Sequence, residues 1–200
     1  MCQAGRMSAS PKLPFHLTRD EFLAWCPDDG QRWQLLDGEP VAMAPARFGH
    51  AALQSEASRL LSNHLAARGS PCVVLTAPGV VPHFRAGVNF RVPHLGVTCT
   101  PVPPDAVFLP APVLLVEILS PGNERDSWAN VWAYTTIPSV REILVLHTRE
   151  VRAELLRRQP DGNWPANSLQ VTQGELVLDS LGFAGPVGAL YRTAGISGTG

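Results

Sequence analysis

One acid stands out as a candidate for chemistry. Val113-Leu114-Leu115-Val116-Glu117-Ile118-Leu119 is an apolar run interrupted only by Glu117. A carboxylate in a strand buried on both faces is costly unless it is paired, protonated or bound to a metal. Ser120-Pro121 puts Glu117 near the strand's C-terminal end, where α/β proteins commonly build sites. Two readings are open from the local pattern: an acid that meets an arginine or solvent, or a functional carboxylate.

Other polar residues carry weaker signals. Pro104-Asp105 supplies a second acid upstream, but Pro101, Pro103, Pro104, Pro110 and Pro112 make that stretch a loop, so Asp105 reads as a solvated turn acid. His50 near a helix start is either a satisfied structural histidine or a capping or site-side hydrogen-bond partner. Trp128 and Trp132 read as core in preference to a base-stacking platform. Arg149, Arg152, Arg157 and Arg158 read as a solvated strand face that could touch phosphate. No local motif places a nucleophile and oxyanion donors around His83, His94 or His147, which leaves a serine or cysteine hydrolase unsupported.

The elements that must position these residues follow from periodicity and turn chemistry. Thr18 to Glu21 forms a capping box ahead of a short helix over 18–26. Strands at 33–36 and 39–43 flank Asp37-Gly38, a hairpin turn. Leu53, Ala57, Leu60, Leu61 and Leu65 recur at helical spacing and predict a long helix from Phe48 to Ala67, stopped by Gly69. Short β-rich runs follow at 72–75, 80–84, 89–92 and 95–98, then the strand at 113–119. Asn123 caps a helix that runs toward Pro138, and strands are expected at 142–147, 151–157, 169–171 and 175–178. This order predicts a mixed α/β sheet covered by helices.

At 200 residues the chain suits one domain, read as a loose arm over 1–14, a domain over 15–192 and a frayed tail over 193–200. Net charge is −1, so any DNA contact depends on a local basic surface. Basic residues comprise fifteen arginines and a single lysine, Lys12. Cys2, Cys26, Cys72 and Cys99 form no CxxC pair, which suggests reduced thiols. With no leader pattern and no long apolar stretch, a cytoplasmic protein without membrane spans is expected.

Several segments, in order and spacing, resemble the Uma-two family of restriction-endonuclease-like proteins. They are Phe15 to Phe22, Trp33-Gln34-Leu35-Leu36-Asp37-Gly38-Glu39, His50, Val116-Glu117-Ile118-Leu119-Ser120-Pro121, and Tyr134 followed by Ile137 to Val145. The resemblance covers roughly residues 15–190. It implies the PD-(D/E)xK fold, a central mixed β-sheet flanked by helices. There an Asp and a Glu hold Mg²⁺ and a lysine helps activate water for phosphodiester hydrolysis.

Three positions depart from the family's pattern. His94 stands at the metal-Asp position after Pro93, Gln34 where an early strand commonly carries Glu, and Asn130 where a Lys lies four residues before Tyr134. An imidazole shifts preference from Mg²⁺ toward Mn²⁺ or Zn²⁺, and Asn can orient water but carries no charge. Arg125 is the arginine available to substitute for the lysine, as a charge stabiliser and a poor base. By resemblance the chain is then a metal-dependent DNA endonuclease using Mg²⁺ or Mn²⁺ on Glu117 and His94, with Asn130 in support, and a homodimer. The other reading is a nuclease-fold binding or assembly module without catalysis.

Overall fold

The computed structural model describes residues 16–25 and 30–196. The expected arm over 1–14, Cys2 and Cys26 lie outside the described residues.

Helix α1 (Arg19–Ala24) starts at the predicted capping box: Thr18 and Glu21 satisfy each other's backbone N–H. Strands β1 (Trp33–Leu36) and β2 (Glu39–Ala42) form the expected hairpin, with Asp37 and Gly38 at φ 50° and 90° in its turn. Helix α2 (Phe48–Ala67) follows as predicted.

Six strands make the central sheet, in the order β3 (Val73–Thr76), β4 (Leu95–Thr98), β5 (Pro112–Leu119), β6 (Glu142–His147), β7 (Ala153–Arg157) and β8 (Leu169–Val171). β5 and β6 run parallel, joined by a crossover through helix α3 (Glu124–Tyr134), and the other neighbours are antiparallel. The sheet is therefore mixed, as expected. A hairpin of β9 (Glu175–Leu178) and β10 (Phe183–Pro186) closes over the α2 side.

The sheet separates two apolar layers. Leu53, Ala57 and Leu61 of α2 pack on Val116, Ile118, Leu144 and Leu146. Val131 and Tyr134 of α3 pack on Leu115, Leu119, Ile143 and Val145. This is why β5 is apolar on both faces.

Four expectations need correction. The runs at 80–84 and 89–92 are not strands; single bridges Val80↔Arg91 and Leu35↔Phe90 tie them in, and Ala86–Val88 is a 3₁₀ turn. Asn123 does not cap α3 with its side chain, because its Oδ1 accepts from Ser120 N instead. The frayed tail does not begin at 193: Ala194 is buried and Ile196 packs against the core. Cys72 and Cys99 are joined in a disulfide. The register Val73↔Thr98 makes them the next facing pair of β3 and β4, a proximity that no sequence spacing announces.

Candidate functional site

Alternation along β5 decides where Glu117 points. Leu115 and Leu119 lie under α3, and Glu117 shares their face at 1 % exposure. Helix α3 brings two partners to it from one stripe. Tyr134 donates its hydroxyl to Glu117 Oε1 at 2.7 Å, and the Asn130 amide, one turn earlier, faces the same oxygen at 3.4 Å.

The second carboxylate oxygen meets His94. β4 begins at Leu95, paired with Val116 of β5, so His94 sits just before the strand at the end of the β4–β5 ladder. Its carbonyl accepts from Ala77 N and Gln54 Nε2, which fixes the backbone there. His94 Nδ1 lies 2.5 Å from Glu117 Oε2 and 3.1 Å from Ile118 N. One ring nitrogen cannot donate and accept at once, so the shorter, charge-assisted contact takes the proton and Nδ1–H donates to the carboxylate.

From the α2 side, His50 reaches the same edge. Its ring centroid is 4.4 Å from that of His94, and its Nδ1 is 2.9 Å from Ser120 Oγ. Burial, with the neighbouring His94 imidazole adding to it, pushes the His50 imidazole down to about 4. His50 is thus neutral near pH 7 and shares one hydrogen bond with the Ser120 hydroxyl.

A buried arginine that sequence reasoning missed completes the cluster. Arg91 Nη1 donates to Asn130 Oδ1 at 2.8 Å, while Nε and Nη2 donate to Asn89 Oδ1 at 3.2 and 2.8 Å. Asn89 Nδ2 donates in turn to Asp37 Oδ1 at 2.9 Å, and Asp37 pairs with Arg85 at 3.0 Å. The bridge Leu35↔Phe90 puts Gln34 across from Arg91, and Gln34 Oε1 is buried without a hydrogen-bond partner. The available signal was a charge between Phe90 and Val92.

Electrostatics follow from this packing. Burial lowers the Arg91 guanidinium below its usual range, opposed by Tyr134, Asp37 and Glu117. Burial first, then the Glu117 charge and hydrogen bond, drives the Tyr134 phenol well above its ordinary value. Tyr134 therefore stays protonated and remains a donor.

The remaining sequence candidates lie elsewhere. Asp105 is exposed in a turn, and Arg125 is exposed in the first turn of α3. Arg157 is paired with Glu142 and Asp179, Arg152 with Glu150, and Arg158 donates to the carbonyls of Thr135 and Ile137 beneath Trp164. Arg149 is exposed, so the cluster is in part a solvated face, with its other three arginines engaged by acids or carbonyls. Trp128 packs against the α3 core, but Trp132 is 49 % exposed, contrary to the expectation of two core residues.

The donor set suits a divalent metal poorly. One carboxylate is available, and both of its oxygens already accept hydrogen bonds from protein groups. The imidazole nitrogen facing it is spent on that carboxylate, and positions 34 and 130 offer neutral amides where hard Mg²⁺ wants anionic oxygen. Among the described residues, no group of three or more His, Cys, Asp or Glu side chains is arranged to hold a metal ion.

Comparison with known proteins places the fold and the family. An uncharacterized protein of Synechocystis sp. is 28 % identical over 186 residues, covering 92 % of this chain and 96 % of that protein. The crystal structure of a "putative nuclease belonging to DUF820" from Anabaena variabilis superposes with a TM-score of 0.73 at 16 % identity, covering 89 % of this chain and 99 % of the other. This likeness shows the nuclease-like fold. The profile of the Uma2 family, described as "Putative restriction endonuclease", matches residues 19–188, and the chain belongs to that family.

Proposed function

We propose that this chain is a nuclease-fold protein that has given up metal-dependent hydrolysis and acts as a binding or assembly module, with nucleic acid as its ligand class. The observation that carries the reading is the closure of Glu117: Oε1 is taken by Tyr134 and Oε2 by His94. A metal would have to displace charge-assisted bonds inside a nearly dry site, and at positions 34, 94 and 130 the family's expected charges are replaced by Gln, His and Asn. Nucleic acid as the ligand class comes from family membership and the nuclease-like fold.

The competing reading, a DNA endonuclease with metal on Glu117 and His94, draws its support from the same family match. One assay separates the two. Supercoiled plasmid and single-stranded DNA are incubated with wild type and Glu117→Ala in Mg²⁺ and in Mn²⁺. The binding-module reading expects equal background from both proteins; metal-dependent cleavage by wild type that disappears in Glu117→Ala establishes the endonuclease.

A further inference from the structure

Glu117 needs a counter-charge, because a buried carboxylate without one is strongly destabilising. The Tyr134 phenol and the Asn130 amide are neutral donors to Oε1, and the His94 imidazole donates to Oε2, so on the α3 side the carboxylate meets no cation directly. On this side of the sheet the buried cation is Arg91, 7 % exposed and held by its backbone on Val80. Its outer neighbour Asp37 is already paired with Arg85, which leaves Glu117 as the buried carboxylate that Arg91 faces through Asn130.

The Asn130 amide is oriented by these two charges. Its oxygen must turn to the guanidinium at 2.8 Å and its NH₂ to the carboxylate at 3.4 Å; the opposite flip would set NH₂ against guanidinium and oxygen against carboxylate. A lysine at 130 would press an ammonium onto the Arg91 guanidinium in a site with little water to screen it. The residue at 130 and the buried arginine therefore form one arrangement.

We infer that Arg91 is the resident cation of this site, supplying through Asn130 the positive charge that the family pattern assigns to a metal ion and a lysine. The assignment rests on the reading of Glu117 as closed to metal. It makes Arg91 a positioning residue, whose loss should be felt only while Glu117 carries its charge.

Thermal melting of the full chain in EDTA tests the assignment with a double-mutant cycle of Arg91→Met and Glu117→Gln. Each single variant should lower Tm by roughly 10 °C, and the double variant by about as much as one single variant. Losses that add would overturn the assignment. A second arm melts wild type with about 5 mM Mg²⁺ or Mn²⁺, where Tm should hold; a rise of about 5 °C or more shows that a divalent ion is the natural counter-charge. Where neither Arg91 variant folds, this second arm decides. Cleavage by wild type together with coupled Arg91 and Glu117 would strike only the proposed function. Additive losses without cleavage would strike only Arg91.

Discussion

His94 Nδ1 lies 2.5 Å from Glu117 Oε2 just before the chain enters β4, so an imidazole from one strand's entry is bonded directly to the buried acid of the next strand. A carboxylate and an imidazole satisfy each other directly, and the site closes. The pairing also links the two sides of the sheet: Glu117 belongs to the α3 layer, and the His94 ring touches His50 from the α2 layer.

Tyr134 should be worth more through its hydroxyl than through its ring polarity. Tyr134→Phe keeps the packing and leaves Glu117 Oε1 with only the long Asn130 contact. The expected cost is about 1.5–3 kcal/mol, read as a lower urea midpoint at unchanged m-value. A loss below about 0.5 kcal/mol would mean that the carboxylate does not depend on this donor.

His50 should make the fold acid-sensitive. Its pKa is depressed from an ordinary 6.5 to about 4, so between those values the unfolded chain binds more protons than the folded one. Stability from this group is fully present above pH 6.5 and falls as pH drops through that window to about 4. A loss of about 2 kcal/mol is expected after allowing for partial solvent screening, measured by urea melts across pH. His50→Gln, which cannot titrate, should flatten that slope; an unchanged slope assigns it to another group.

The Cys72–Cys99 bond should be chemically present. Peptide mapping without reductant should find the two joined, and Cys72→Ser with Cys99→Ser should cost about 3 kcal/mol. Recovery of both peptides with free thiols from unreduced protein would remove the bond from the description.

Trp132 should matter little to folding. It is half exposed on α3, so Trp132→Ala should shift stability by about 0.5 kcal/mol or less, whereas Tyr134, fully buried on the same helix, should not tolerate Ala. A large loss at Trp132 in dilute protein would point to a packing role that its exposure does not suggest.

Glu117 was legible from the sequence because a single acid in an apolar strand violates the strand's own pattern. His94, Asn130 and Tyr134 were legible only through family resemblance, since nothing local to Pro93-His94 or to the α3 stripe marks a site. Arg91 is illegible in the sequence because Asn89 to Val92 has the pattern of an ordinary short strand, in which a charge is expected to face solvent. The disulfide was illegible for a different reason: its partners are 27 residues apart and meet only through the β3–β4 register. Asn123 misled because capping chemistry has two outlets at a strand–helix turn, and its side chain turned back to Ser120.

Placing acids at 34 and 94 tests the closed site most directly. Mn²⁺ binding is measured by calorimetry for wild type and for the Gln34→Glu, His94→Asp double variant, with Asn130 kept because a lysine there would face the Arg91 guanidinium. Closure of Glu117 by protein groups predicts no saturable binding by wild type and a metal-binding double variant. Saturable Mn²⁺ binding by wild type, abolished in Glu117→Ala, would contradict it.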